Sequence, residues 1–350
     1  MEHNTTNTTS LLTSQRFNVF DAVFLNIGFK ILYAVTILCG LIANLSILHI
    51  KRTARLTKTK FTFLLTHLVM TDLLTGLSLI PYVFIDVHTF NITREFEGSI
   101  LCWATLGLSL FYTSAANQVL FLCVMTIFRL FSIKWPTIAN RYMTESKIKK
   151  IIFGIWFLTC LTTIPNMLSW KFIREHGYCK RHWGKPIYGV LYTGLIFGIG
   201  IFIPITVFIA SNKMISNTLR THNKTTSIKD SAVERATTRI TYLLNILFLV
   251  YIICWLPLLF YFFLATVTKL YPNTVEGDRL RIKTIRVCVL VNALNTVLDP
   301  VFFCYQLPDY KKAMKKLFYL QSVEPTPTME LKPRKNPKTI FVSTRQSTIN

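Results

Sequence analysis

The stretch NTVLDPVFFCYQLPDYKKAMKKLF, Asn295 to Phe318, sets an acid beside a proline, Asp299-Pro300, inside an apolar run and then turns abruptly lysine-rich. A carboxylate is costly in an apolar setting unless paired, and proline removes a helical hydrogen bond. Composition supplies the first part of the reason. Of 350 residues, 51% are hydrophobic and 16% charged, whereas a soluble domain carries about 25% charged residues. Mean hydropathy is +0.42. The apolar residues bunch into seven blocks, near 27–50, 61–86, 102–133, 149–169, 187–210, 240–266 and 285–305. A helix needs about 20 apolar residues to cross ~30 Å of hydrocarbon, and lipid offers the backbone no partner outside the helix itself. The expected architecture is therefore an all-α membrane protein of seven transmembrane helices.

Basic residues set the orientation. With the amino terminus outside, inner loops and tail hold 25 of the 39 Lys and Arg residues, the bias expected of cytoplasmic segments. The formal net charge of +23 thus reads as topology and contact with anionic lipids, in preference to nucleic-acid binding. The opening MEHNTTNTTS lacks a cleavable-signal pattern, so the first span is expected to direct export. Asn4, Asn7 and Asn91 fit N-x-[ST] on the outer side, as glycosylation acceptors do. Of eight cysteines, six lie within spans, where small buried apolar residues are common. Cys102 and Cys179 alone face an oxidising compartment, and a disulfide between them would tie the loop before span five over the bundle.

Ionisable groups inside a membrane default to a functional reading. Here they are Asp72, Arg129 and Asp299, joined by the amides of Asn44, Gln118 and Asn295. Around them stand Gly40 and Asn44 in span one, Leu68 and Asp72 with Pro81 in span two, and Arg129 followed by Pro136 after span three. Trp156 stands in span four, Pro204 in span five, CWLP (Cys254–Pro257) in span six and DPVFF (Asp299–Phe303) in span seven. In this order the set resembles the rhodopsin-like (class A) G-protein-coupled receptors across all seven spans.

The resemblance implies a chain divided into an extracellular glycosylated amino terminus (1–26), a receptor domain (27–305), an amphipathic juxtamembrane helix (306–320) and a disordered cytoplasmic tail (321–350). It implies a plasma-membrane receptor whose partners are an extracellular ligand and a heterotrimeric G protein, with arrestin and receptor kinases at Ser343, Thr344, Ser347 and Thr348. Arg129, Pro204, Tyr251, Trp255, Pro257, Asp299, Pro300 and Phe303 would form the activation switch. Prolines leave weak points about which spans five, six and seven can turn. Asp72 and Asp299 would approach each other near Asn44, Asn295, Ser114 and Gln118. Two close carboxylates require a cation or a shared proton, so this is a candidate internal sodium or proton site; no other cofactor is implied. Tyr310, Ala313, Met314, Leu317 and Phe318 repeat at helical spacing opposite Lys311, Lys312, Lys315 and Lys316, as an interfacial helix on anionic lipid does.

Several positions depart from the family pattern. Phe128 replaces the acid that restrains Arg129, Thr237 stands where an acidic partner is often found, and Glu234 is one turn away. Raised basal signalling is expected unless Glu234 substitutes. Asn212 and Phe303 replace tyrosines, while Tyr251 stands where phenylalanine is usual. Cys102 lies 27 residues before Arg129, two more than usual, which predicts a bulge or shifted end in span three.

Phe111, Tyr112, Tyr192, Leu258, Phe262 and Arg286 are the candidate ligand-pocket walls, with Trp255 at the floor. Phe111 takes the place of the aspartate by which amine receptors hold an ammonium, and Ala293 that of the retinal-binding lysine. Outer-loop basic residues, among them Lys171, Arg174, Lys180, Arg181 and Lys185, would steer an anionic peptide, nucleotide or lipid. No metal-ligand spacing, nucleophile motif or phosphate loop suggests an enzyme. Two other readings stay open: a receptor-like protein with weak or constitutive signalling, and a transporter or channel, though no repeated halves are visible.

Overall fold

The computed structural model describes residues 5–53, 59–85, 94–105, 107–174, 178–225, 231–267 and 275–318. Within them, helix α1 (Thr5–Thr53) precedes α2 (Lys60–Phe84). Span three is divided into α3 (Glu95–Thr105) and α4 (Ser109–Lys134). Short α5 (Pro136–Tyr142) leads into α6 (Glu145–Leu168), then into a hairpin of β1 (Trp170–Ile173) and β2 (Tyr178–Arg181). Span five is α7 (Pro186–Phe197), a π-helical turn at Gly198–Phe202 and α8 (Ile203–Thr225). Helix α9 (Ser231–Val267) is span six, α10 (Val275–Ala293) with α11 (Asn295–Gln306) is span seven, and α12 (Pro308–Phe318) follows. Among the described residues, seven segments are long and apolar enough to cross a membrane: 26–53, 60–84, 95–134, 145–168, 187–221, 238–265 and 280–306.

The boundaries have local causes. The Thr59 and Thr144 hydroxyls accept from the backbone of Thr62 and Lys147, capping α2 and α6, and Pro136 opens α5 where its missing N–H has no helical partner to lose. The bundle packs most closely where α2 and α4 meet and where α1 lies on α2. Leu68, Phe121, Leu247 and Phe303 are fully enclosed at its centre. The outward faces carry large apolar side chains, Phe153 at 73% exposure among them, a pattern hostile to water and suited to lipid.

Span three breaks between α3 and α4, at Gly107 and Leu108. Leu108 takes a left-handed conformation (φ 46°), uncommon for a residue with a branched side chain, and Gly107 N–H reaches back five residues to Cys102 O at 2.8 Å. The irregularity expected from the Cys102–Arg129 spacing is thus a break between two helices. At this end Cys102 is bonded to Cys179, with Cα atoms 5.6 Å apart, and the hairpin pairs Phe172 with Cys179 and Trp170 with Arg181. A side chain on Gly98 would strike the Phe172 ring, so the hairpin seats only over a glycine.

At the opposite end α12 turns Tyr310, Ala313 and Met314 inward and leaves Lys311, Lys312, Lys315 and Lys316 exposed. Burial pushes the Tyr310 phenol up to about 12, so it stays neutral at any physiological pH. Asn4, Asn91, the tail 321–350 and its Ser and Thr residues lie outside the described residues, as do the side chains of Asn7, Glu234, Thr237, Leu317 and Phe318.

Helices α1 and α11 approach closely at Gly40. A Cβ there would stand 2.5 Å from Thr296 Oγ1, well inside contact distance. Gly40→Ala should lower the melting temperature of the purified protein by an overpacking penalty of about 1–3 kcal/mol. The double variant Gly40→Ala/Thr296→Ala should recover most of it. An unchanged melting temperature in the single variant would show that the approach does not constrain the packing.

Candidate functional site

Proline has no N–H to offer the carbonyl four residues earlier, so Pro300 deprives Thr296 O and Pro204 deprives Gly200 O. In both places a side chain from a neighbouring span takes over. Asn44 Nδ2 donates to Thr296 O at 2.7 Å and to Gly40 O at 2.9 Å. Tyr251 O–H donates to Gly200 O at 3.3 Å. Tyr251, where phenylalanine is usual in span six, thereby ties that span to the π-helical turn in span five.

Beside the first of these links lies a buried polar centre. Gln118 Nε2 donates to Asp72 Oδ1 and to Asp299 Oδ2, each at 2.8 Å, and all three residues are buried. The two hydrogens of one amide therefore bridge the two carboxylates. Asp72 Oδ2, Asp299 Oδ1, Asn44 Oδ1 and Asn295 Oδ1 are buried without a hydrogen-bond partner among the described residues. Oxygen acceptors in this number suit a hard cation or a proton. Ser114 is engaged elsewhere: it accepts from Thr75 Oγ1 at 2.7 Å and donates to Phe111 O at 2.8 Å.

Between spans three, four, five and six, below the hairpin, lies a cavity of about 80 Å³. That is roughly half of the ~150 Å³ in which a buried cavity accepts one benzene ring. Tyr112, Tyr192 and Phe262 line it, with Trp255 and Tyr251 at one end. Trp255 packs on Phe111 (5.3 Å between centroids) and stacks on Tyr251 (5.9 Å). Leu258 and Phe111 are fully buried but outside the wall. Arg286 is outside it as well. Its Nη1 donates to Asn26 Oδ1 at 2.9 Å, and its carbonyl accepts from Tyr33 O–H at 2.6 Å, so it fastens span seven to span one.

The cation in the wall is Arg181. Residues two apart on a strand share a face; Cys179 faces the bundle because it bonds Cys102, and Arg181 follows it inward. The signal was present in the spacing from Cys179, yet counting Arg181 among loop cations hid it. At the far end of the bundle, Arg129 Nε and Nη2 are buried without a partner among the described residues. Among the described residues no carboxylate pairs with it.

The sequence profile described as "7 transmembrane receptor (rhodopsin family)" matches residues 43–303. The somatostatin receptor type 4 of Rattus norvegicus is 23% identical over 298 residues, 83% of this chain and 72% of the relative. The lysophosphatidic acid receptor 6 of Mus musculus is 22% identical over 311 residues, 85% of each.

Removing the hydroxyl in Tyr251→Phe keeps the ring stacked on Trp255 but leaves Gly200 O without its donor. Thermal unfolding should show a loss of about 0.5–1.5 kcal/mol, the net worth of one hydrogen bond. Identical unfolding of variant and parent would mean the link between spans five and six carries no stability.

Proposed function

Because the chain belongs to the rhodopsin family of seven-transmembrane receptors, we propose that it binds an extracellular ligand in the cavity beneath the hairpin and activates heterotrimeric G proteins by movement of spans five to seven. The observation that carries this is Trp255. It touches the cavity, stacks on Tyr251 and lies two residues before Pro257 on one helix, so a ligand pressing on its ring acts next to a helix weak point. In this reading the amino terminus is extracellular, the protein sits in the plasma membrane, and α12 lays its exposed lysines on anionic lipid. Arrestin and receptor kinases would meet the tail. Family membership favours this over a transporter or channel.

Phe111 leaves no carboxylate for an amine ligand at its position in span three, and basic outer loops favour an anion. One relative is named for somatostatin and another for lysophosphatidic acid, which is compatible with an anionic peptide or lipid here.

A second reading, constitutive signalling, is favoured by the unpartnered Arg129 atoms beside Phe128. A partly buried guanidinium with no restraining carboxylate among the described residues is freer to move into contact with a G protein. In membranes reconstituted with a panel of G proteins, the receptor should catalyse nucleotide exchange, with a ligand-free rate that falls severalfold in Phe128→Asp. No exchange with any G protein or ligand in a broad library would overturn the receptor reading, and an unchanged basal rate in Phe128→Asp would overturn the second.

The oxygens around Asp72 and Asp299 would hold one sodium ion or one shared proton in the resting arrangement, which offsets one negative charge. Raising sodium, or lowering pH where a proton is held, should then reduce basal exchange, and Asp72→Asn should abolish that dependence. Equal sodium and pH responses in parent and variant would remove the site.

A further inference from the structure

Among the described residues, the cavity wall contains a single charged one, Arg181. Its Nη2 donates to Asn166 Oδ1 at 3.1 Å, and its guanidinium carbon lies 4.8 Å from the centre of the Trp183 ring. Its Nε is buried with no hydrogen-bond partner among the described residues, and the single ion pair among those residues is Arg94–Glu97, elsewhere. Asn166 is itself anchored, donating through Nδ2 to Gly107 O at 2.9 Å, so the guanidinium is held in place by the break in span three. Burial pushes Arg181 below the ordinary arginine value, which nearby Tyr112 and Tyr192 oppose. A partly buried cation held, among the described residues, by a neutral amide and an aromatic ring gains from an anion that completes it.

The remainder of the wall defines the other end of the ligand. Phe197, Leu259, Phe262 and Trp255 present apolar surface. One cation answers one negative charge, which disfavours a nucleotide's several phosphates. The small volume disfavours a folded peptide and suits an unbranched chain.

We infer that the cavity takes a small amphiphile with one anionic head group on a short unbranched alkyl chain of a few carbons, the head on Arg181 and the chain directed toward Trp255. This deepens the receptor reading and rests on the cavity being its ligand site. Arginine is suited to the head-group role because its donors match carboxylate and phosphate oxygens alike, while the basic outer loops raise the local concentration of such anions.

The test is direct binding of radiolabelled butyrate, butyl phosphate and butanol to the receptor in nanodiscs of neutral lipid, without G protein. Saturable binding of butyrate, butyl phosphate or both is expected, with the alcohol at least tenfold weaker; the two anions distinguish a carboxylate from a phosphate head. Arg181→Ala and Arg181→Gln should each weaken anion binding tenfold or more, Arg181→Lys less, and Arg286→Ala by under about threefold. Arg181→Gln keeps a donor for Asn166 without the charge, and an intact Cys102–Cys179 disulfide with a parent-like melting temperature shows that a variant is folded. Equal binding of the alcohol, no loss in a folded Arg181→Gln, or no saturable binding of any probe would overturn the inference. Exchange driven by some other ligand would still stand in that event, so the receptor reading fails only if nucleotide exchange is also absent.

Discussion

A hydrocarbon layer offers no hydrogen bond, so each backbone carbonyl deprived of its helical donor must find another inside the protein. That constraint organises this bundle. Pro300 frees Thr296 O, and Asn44 supplies the donor across the contact that Gly40 keeps close. Pro204 frees Gly200 O, and Tyr251 supplies it from span six. Each of these two weak points is thereby also a link between two helices. Straightening or turning one span changes the bonding of its neighbour.

The same requirement explains the buried side chains. Thr159 donates to Asn117 Oδ1 at 3.0 Å, joining spans four and three. Gln118 joins spans two, three and seven by giving one hydrogen to each aspartate. Removing a partner from such a network leaves a buried polar group unsatisfied, which is more costly than never having had the pair. A bundle of this kind has few alternative packings, and those it has differ in which polar groups are paired.

At the hairpin end, three features act together. The disulfide fixes Cys179, the strand carries Arg181 inward two residues on, and the break between α3 and α4 turns Gly107 O toward Asn166, which in turn holds Arg181. The cavity below runs to Trp255, and from there ring stacking leads to Tyr251 and the π-helical turn. A contiguous set of packed groups therefore connects the hairpin to the middle of the membrane.

The seven spans were legible in the chain because crossing a membrane is a one-dimensional demand: about 20 apolar residues must follow one another. The irregularity in span three was legible from the two extra residues between Cys102 and Arg129, and the inward and outward faces of α12 from their spacing. Which side chains share a wall was legible only in part: Tyr112, Tyr192 and Phe262 line the cavity, while Phe111, Leu258 and Arg286, read together with them from the sequence, do not. Arg286 reads as the pocket cation and Arg181 as a loop cation, yet Arg286 fastens span seven to span one and Arg181 enters the cavity. Ser114 and Gln118 lie one turn apart on the same helix, but Gln118 alone reaches the aspartates. The sequence by itself determined how many helices cross and where their prolines and charges fall. Only the tertiary structure decided which groups meet, because side-chain contact depends on helix rotation and tilt, and those are set by packing between spans far apart in the chain.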